Sequence, residues 1–318
     1  MKAFITGISG MDGSYLAEYL LGLGYEVVGL VRRSSTNNLQ NLSGVLGKIN
    51  LVYGDLTDQG GINNIIKTWM PDEVYNLGAM SFVPVSWKSP EYTMNVNALG
   101  PLRILEAIRQ YKPDTRFLQA STSEQFGKAL LIPQSENTPF YPRSPYGVSK
   151  VAAYWTTINY RESYNLFAAT SICFNHDSVR RGEEFVTRKI SNAVARIKLG
   201  MQEKVKLGNL KPRRDIGHSK DYVRAMHLIL QHPEPETFVI GTGESHSIEE
   251  ICKVAFDRVG LNYLNHIEQD LELFRPAEVD TLLADATKAR EVLGWKPQYK
   301  FEDIINEMVD YDLRTLNG

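Results

Sequence analysis

The chain has 318 residues, of which 43% are hydrophobic and 10% aromatic, so it can form one large domain or two modest ones around a buried core. The formal net charge is −2 with both signs interspersed, which excludes the strong basic excess that non-specific nucleic-acid binding needs. Two cysteines form no CxxC motif, and no apolar run reaches about 18 residues, so we expect no metal, no membrane contact and a cytoplasmic location.

Strand-like and helix-like patterns alternate through the first half of the chain. Apolar runs predict strands over 2–6, 26–31, 49–55, 73–79, 116–121 and 166–174. Helical periodicity predicts helices over 12–24, 62–69, 94–111 and 147–164. This alternation is typical of βαβ units, so we predict an α/β fold with a Rossmann-type doubly wound parallel sheet.

The rhythm loosens after about residue 175, where helix-like stretches near 187–199, 219–231, 248–259 and 302–314 are separated by loops. We therefore predict a dinucleotide-binding Rossmann domain over 1–175, to which some later segments return. A smaller C-terminal α/β domain over 176–318 is then expected to bind mainly the substrate.

Three glycines between the first strand and the first helix indicate a dinucleotide site. Gly7, Gly10 and Gly13 give the spacing G-x-x-G-x-x-G. Glycines at such a turn allow a diphosphate to approach the backbone at the positive end of the helix. An ordinary glycine-rich turn could show the same spacing, but the strand–turn–helix context favours the cofactor.

The end of the second strand indicates which cofactor. An NAD-type site places an acidic residue there, whereas this sequence has Arg32, Arg33 and Ser34. Arginine beside hydroxyl groups suits a 2′-phosphate, although a solvated basic loop is the alternative. We therefore expect NADP. Asp55, after the third strand, is placed to meet the adenine amino group.

A tyrosine and a lysine four residues apart form a candidate reacting centre. Tyr146 and Lys150 would share one face of a helix. A free tyrosine has a pKa of about 10, and lowering it by three units needs roughly 4 kcal/mol, which we expect Lys150 and a cationic nicotinamide to supply. Thr122, Ser123 and Glu124 follow the strand over 116–121, and Glu124 is either a solvated loop acid or a base.

These motifs together resemble the extended short-chain dehydrogenase/reductases and, more narrowly, the GDP-mannose 4,6-dehydratase family. The resemblance runs from residue 4 to about residue 296. The segments that carry it are "GISGMDGSYLAEYLL", "VRRSS", "YGDLTD", "YNLGAMS", "ASTSEQFG", "PFYPRSPYGVSK", "FNHDSVRRG", "FVTRKIS", "LGN", "RRDIGHSKDYV" and "RPAEVD".

The resemblance implies a lyase that removes water from a GDP-sugar. Tyr146 would take the proton of the sugar 4-hydroxyl while hydride passes from C4 to NADP⁺. Glu124 would then take the C5 proton, water would leave from C6, and hydride would return to C6. Thr122 would bond the 4-oxygen, Lys150 would support Tyr146, and Ser123 would position the sugar or the leaving water.

The resemblance also implies binding residues and an assembly. Those for the cofactor are Gly7, Ser9, Gly10, Met11, Asp12, Gly13, Arg32, Arg33, Ser34, Asp55, Leu56, Leu77, Ala79, Ser81, Tyr92, Tyr146, Lys150, His176 and Arg181. Those for the substrate are Ser81, Phe82, Glu124, Asn175, Val186, Lys189, Leu207, Gly208, Arg214, Arg275 and Glu278. The loop over 33–35 would reach a neighbouring subunit, so we expect a homo-tetramer or homo-dimer.

Basic pairs in the second half suggest the phosphate end of the substrate. The pairs are Arg180–Arg181, Arg188–Lys189 and Arg213–Arg214, and we expect them to converge on phosphates because the net charge is only −2.

Departures from the family pattern leave the sugar open. Phe82 stands where the family usually has histidine, Val179 replaces a proline, and Ile216 replaces a tryptophan. A GDP-manno-heptose is therefore an alternative to GDP-mannose. Two other functions stay open: a 4-epimerase or 4-keto reductase, which would not need Glu124, and a non-catalytic NADP-sensing protein.

Overall fold

The computed structural model describes residues 1–35, 38–274 and 277–318. Its strands are β1 (Lys2–Thr6), β2 (Glu26–Val31), β3 (Asn50–Tyr53), β4 (Glu73–Asn76), β5 (Arg116–Thr122), β6 (Ala168–Cys173), β7 (Asn175–Asp177), β8 (Val205–Leu207), β9 (Arg213–His218), β10 (Thr237–Ile240), β11 (Ser245–Ser247), β12 (Ile267–Gln269) and β13 (Thr281–Leu282). Its helices are α1 (Met11–Gly22), α2 (Gln59–Trp69), α3 (Val83–Lys88), α4 (Pro90–Met94), α5 (Gly100–Tyr111), α6 (Pro145–Tyr164), α7 (Val186–Lys198), α8 (Ser219–Gln231), α9 (Ile248–Asp257), α10 (Thr287–Leu293) and α11 (Phe301–Asn317).

Within the described ranges, seven strands form a parallel sheet in the order β10–β6–β5–β4–β1–β2–β3. The chain order reverses between β1 and β4, which is the switch point where this kind of sheet binds its ligands. The predicted Rossmann-type parallel sheet is therefore confirmed.

Both faces of this sheet are covered, which explains why its strands are apolar without interruption. Ile5 packs with Leu16 of α1 and Ile229 of α8 in one core cluster. The preceding residue of β1, Phe4, points to the opposite face and packs with Ile104 of α5 in a second cluster.

A second region lies beyond the carboxyl edge of the large sheet. Strands β7, β11 and β13 all pair with β9, and β8 pairs with β12. Helices α7, α9 and α11 pack together in a separate core cluster. β10 and α8 come from the second half of the chain yet belong to the large sheet and its covering layer. The division of the chain at residue 175 stays a prediction.

The predicted helix over 94–111 differs from what the structure contains. α4 and α5 are separated by a π-helical turn over Asn95–Leu99, in which Gly100 N–H donates to the carbonyl of Asn95. Pro101 follows and has no N–H with which to continue the helical hydrogen bonds, so the pattern changes there. No helix in the described part of the chain is long and apolar enough to cross a membrane.

Candidate active site

The glycine turn after β1 requires residues without side chains. Gly7 has a φ of +69°, and a Cβ there would lie 2.9 Å from the backbone N of Gly78. A Cβ on Gly13 would lie 2.3 Å from the carbonyl oxygen of Gly7. The turn therefore packs tightly between α1 and the end of β4, and its backbone stays open to a ligand.

A cavity of about 640 Å³ begins at this turn and extends between the large sheet and the second region. All the predicted site residues line it except three. Arg33 and Ser34 are exposed on the loop after β2, and Arg275 lies outside the described residues. The structure thus brings both predicted binding sets and the predicted catalytic residues to one cavity.

The residues predicted to bind the 2′-phosphate and the adenine, Arg32 and Asp55, follow β2 and β3. Arg32 is exposed, and its Nη1 donates to the hydroxyl of Tyr92 at 2.9 Å. Asp55 Oδ1 accepts from the backbone N and the hydroxyl of Thr57, at 2.9 and 2.8 Å. Both side chains are thereby held at the cavity wall.

Tyr146 and Lys150 occupy successive turns at the start of α6. Ser144 caps this helix by accepting from the N–H of Gly147 at 3.0 Å. Tyr146 is 8% exposed and Lys150 4% exposed. Lys150 Nζ donates to the carbonyl of Ala120 at 2.9 Å and lies 5.9 Å from the ring centroid of Tyr146.

Burial dominates the protonation of both groups. Burial raises the pKa of Tyr146, nearby Glu124 raises that pKa further, and a hydrogen bond with Thr122 acts in the opposite direction. Burial also lowers the pKa of Lys150 to about 8. The lowered tyrosine pKa that the sequence predicts is therefore not produced by the protein groups alone, although Lys150 stays cationic at neutral pH.

Glu124 lies in a short 3₁₀ turn over Ser123–Gln125 that directly follows β5. Glu124 is only 8% exposed, and its backbone N–H donates to Thr122 Oγ1 at 3.3 Å. A loop acid would be solvated, so the burial of Glu124 and its place in the cavity lining argue against that alternative.

His176 and Arg181 face the cavity from the second region, and each is paired with a carboxylate. His176 Nε2 lies 2.8 Å from Asp12 Oδ2, and Arg181 Nε lies 2.6 Å from Asp177 Oδ1. Burial alone would lower the pKa of His176, but the Asp12 carboxylate outweighs it and the pKa is raised. Burial acts to raise the pKa of Asp12, and His176 and Arg181 bring it below its usual value.

Of each basic pair, only the second member lines the cavity. These second members are Arg181, Lys189 and Arg214. The first members form structural ion pairs, in which Arg180 contacts Glu18, Arg188 contacts Asp312, and Arg213 contacts Glu250. The structure thus brings half of the predicted cationic groups to the cavity.

An aromatic pair lies where the segment after β4 meets the segment before α7. The rings of Phe82 and Phe185 meet edge to face, with centroids 5.3 Å apart. Arg181 lies over the ring of Phe185, 4.2 Å from its centroid.

Arg214 also stands beside a carboxylate, because its Nη2 lies 3.6 Å from Glu278 Oε1.

Known proteins match nearly the whole chain. The GDP-mannose 4,6 dehydratase family model matches residues 4–308. GDP-mannose 4,6 dehydratase 2 of Arabidopsis thaliana is 52% identical over 98% of this chain and 86% of the relative. The chain belongs to the GDP-mannose 4,6-dehydratase family. The resemblance predicted from the sequence is confirmed.

Solved structures with the same fold are more distant in sequence than this family relative. The UDP-glucose 4-epimerase of Thermotoga maritima, solved with UDP-glucose, has a TM-score of 0.89 at 26% identity and covers 99% of this chain and 100% of its own. The UDP-glucose 4-epimerase of Thermus thermophilus, solved with NAD, has a TM-score of 0.86 at 25% identity and covers 98% and 99%.

Some residues of this GDP-mannose 4,6-dehydratase family member escaped the sequence prediction. Cys173 and Phe185 line the cavity. Gln125 ends the 3₁₀ turn that carries Ser123 and Glu124. The spacing Thr122-x-x-Gln125 was a usable signal, because it is a capping-box pattern. Cys173 and Phe185 carry no local signal, since only the fold brings their segments to the cavity.

Proposed function

We propose that this protein is an NADP-dependent GDP-mannose 4,6-dehydratase that forms the GDP-4-keto-6-deoxy sugar. The observation that carries the proposal is Glu124, a buried carboxylate in the same cavity as Tyr146 and Lys150. Oxidation at C4 needs only the tyrosine and lysine, whereas elimination of water also needs a base that faces C5. Family membership supports the same conclusion.

The residues of the cavity fit a nicotinamide dinucleotide, because Gly7 and Gly13 leave a turn that a Cβ would fill. A bound nicotinamide would supply the chemistry of hydride transfer between the sugar carbons C4 and C6, and in its oxidised form its positive charge would favour the phenolate of Tyr146. Tyr146 takes the proton of the 4-hydroxyl, and Thr122 bonds the resulting 4-oxygen. Lys150 keeps a positive charge beside them, since its pKa is about 8.

Elimination follows because a ketone at C4 makes the C5 proton acidic. Glu124 takes this proton and passes it to the C6 hydroxyl, which leaves as water. When hydride returns to C6, Glu124 relays a solvent proton to C5. Ser123, 2% exposed on the same turn, is placed to position the sugar or the leaving hydroxyl. Each step thus has a side chain of the chain's own to hold or move the proton.

NADP rather than NAD is favoured by the loop after β2. Arg32 takes the place of the acidic residue that would bind ribose hydroxyls, and Tyr92 holds its guanidinium at the cavity wall. A fixed guanidinium is suited to a 2′-phosphate.

The GDP end is proposed to lie in the second region, where Arg181, Lys189 and Arg214 bring positive charge to the cavity. The sugar end would then face Phe82. Because this ring is apolar, a GDP-manno-heptose stays the alternative substrate.

Mass spectrometry after incubation with NADP and separate nucleotide sugars tests the proposal. The panel consists of GDP-mannose, GDP-manno-heptose, UDP-glucose and dTDP-glucose. We expect loss of one water from a GDP-sugar alone. Epimerisation without a mass change would favour the alternative 4-epimerase, and loss of water from UDP- or dTDP-glucose alone would reject the GDP assignment.

We also propose a homo-tetramer or homo-dimer. Large apolar side chains on α3, α4, α6 and the turn between α4 and α5 are exposed in the described chain, among them Trp87, Tyr92, Leu99, Val148 and Trp155. Exposed aromatic groups on neighbouring helices are typical of subunit contacts. Light scattering at micromolar concentration is expected to give at least the mass of a dimer, and a monomer would reject this assembly.

A further inference from the structure

Gln125 is a fully buried polar residue beside the reacting centre. It is 0% exposed and ends the 3₁₀ turn that carries Ser123 and Glu124. A polar amide at such a position costs free energy unless its hydrogen bonds are made. The contacts of this one side chain therefore indicate what it does.

The Gln125 side-chain oxygen closes the turn onto β5. Oε1 accepts from the hydroxyl of Ser121 and from the backbone N–H of Thr122, the latter at 3.2 Å. Thr122 Oγ1 in turn accepts from the backbone N–H of Glu124. The position of both reactive side chains thus depends on one amide oxygen.

The Gln125 side-chain nitrogen faces the catalytic helix. Nε2 lies 3.4 Å from the backbone carbonyl of Lys150 on α6, while Lys150 Nζ donates back to the carbonyl of Ala120 on β5. These two contacts cross between β5 and α6 in opposite directions. They connect the segment with Thr122 and Glu124 to the helix with Tyr146 and Lys150.

We infer that Gln125 is a positioning residue for the dehydration reaction, a role that rests on the proposed function. It touches no reacting atom. It fixes the turn over 122–124 relative to α6. Thr122 and Tyr146, which act on the sugar 4-hydroxyl, and Glu124, which acts on C5, can then contact one sugar at the same time. An apolar side chain of similar length fills the same space but cannot fix this relative position.

Gln125→Met tests the inference, with Gln134→Met as the matched control. Gln134 is also 0% exposed and also bonds backbone groups, at Leu131 and Leu283, but it lies outside the cavity lining. A displacement of about 1 Å at a reacting centre costs about 100-fold in rate, so we expect Gln125→Met to lower kcat roughly 10- to 100-fold. KM should stay within about threefold, because the nucleotide contacts are remote. Unchanged kcat, or an equal loss in Gln134→Met, would overturn the inference.

Hydrogen–deuterium exchange provides a readout that does not depend on activity. The amides of Thr122 and Glu124 should exchange faster in Gln125→Met and at the wild-type rate in Gln134→Met. Ser121→Ala removes only the hydroxyl that donates to Gln125, and it should change exchange in the same direction if Gln125→Met fails to fold. Unaltered exchange over 121–125 would reject the positioning role. A wild-type protein that dehydrates no nucleotide sugar would instead reject the proposed function.

Discussion

The two walls of the cavity are built in different ways. On the sheet side, Glu124, Tyr146 and Lys150 are buried, and the ammonium of Lys150 is held by a backbone carbonyl. On the side of the second region, the cationic groups come from separate segments, and two of them stand beside carboxylates: Arg181 beside Asp177 and Arg214 beside Glu278.

This difference separates two kinds of chemistry. Burial shifts proton affinity strongly, as the pKa of about 8 for Lys150 shows, and that suits groups that move protons. Arginines paired with carboxylates keep their charge and their geometry, and that suits the binding of phosphates. The sheet wall is thus suited to reaction and the second wall to recognition.

Replacing Glu124 tests the sheet wall with the largest expected effect. Glu124→Gln keeps the size of the side chain but removes the proton acceptor, so turnover should fall about 10²- to 10⁴-fold. Tyr146 and Lys150 remain, so the absorbance of reduced nicotinamide should still appear with bound substrate, without dehydrated product or solvent deuterium at C5.

Glu184→Gln is the matched control, because Glu184 is an exposed carboxylate that lines the same cavity. It should dehydrate close to the wild-type rate. Near wild-type turnover in Glu124→Gln would mean that the elimination base is another group.

The second wall separates structural from functional cations at neighbouring positions. Arg188 and Asp312 are 6% and 1% exposed and form a buried ion pair, to which Ser191 donates at 2.7 Å. Arg188→Met leaves the aspartate buried without its partner, so the free energy of unfolding should fall by about 3–5 kcal/mol. Urea unfolding measures this loss.

Lys189→Met should give the opposite result, because Lys189 is half-buried and lines the cavity. Stability should change by no more than about 0.5 kcal/mol, as is usual at such positions, while GDP should bind more weakly. Calorimetric titration with GDP measures the affinity. Equal stability losses in both variants would remove the distinction within the pair.

The sequence predicts the two walls unequally for a physical reason. The glycine turn and the Tyr146–Lys150 spacing each lie within one short segment, so their geometry follows from local structure. Whether Arg188 or Lys189 faces the cavity depends on Asp312, which is more than a hundred residues away and is brought near only by the packing of α11 on α7. The large parallel sheet was predictable from alternation, whereas strands as short as β13, with two residues, carry no such pattern.

The pH dependence of stability sharpens the contrast at Lys150. Its pKa is about 8 in the folded protein against 10.5 as the ordinary value, so folding disfavours its proton. The unfolded chain binds more protons between these values, and stability should rise with pH across that interval. At pH 7 the free energy of unfolding of Lys150→Met should therefore be higher by on the order of 1–3 kcal/mol, as measured by urea unfolding. The variant should also lose this pH dependence and its activity. A destabilised variant at every pH would show that packing, rather than charge burial, dominates this site.

Arg32 tests the cofactor end of the cavity with a smaller effect. Arg32→Asp removes a charged hydrogen bond and adds repulsion, so NADP affinity should fall more than tenfold, while NAD affinity should change less. Fluorescence titration at physiological salt compares the two cofactors. Tyr92→Phe removes the hydroxyl that holds Arg32 and should weaken NADP by a lesser amount. Unchanged NADP affinity in Arg32→Asp would remove Arg32 from the 2′-phosphate site.

Phe82 carries the smallest expected effect, and it bears on the boundary between the two walls. Its ring meets Phe185, the residue directly before α7 in the second region, at a centroid distance of 5.3 Å. An edge-to-face pair is worth about 0.5–1.5 kcal/mol, so Phe82→His should change the ratio of kcat/KM for GDP-mannose and GDP-manno-heptose by roughly two- to tenfold. Inhibition by GDP alone should be unchanged, because the cavity-lining cations Lys189 and Arg214, which we propose to bind the phosphates, are untouched. If the variant instead weakened GDP binding and left the sugar preference unchanged, Phe82 would contact the nucleotide end of the substrate. The assignment of this part of the cavity to the sugar would then be wrong.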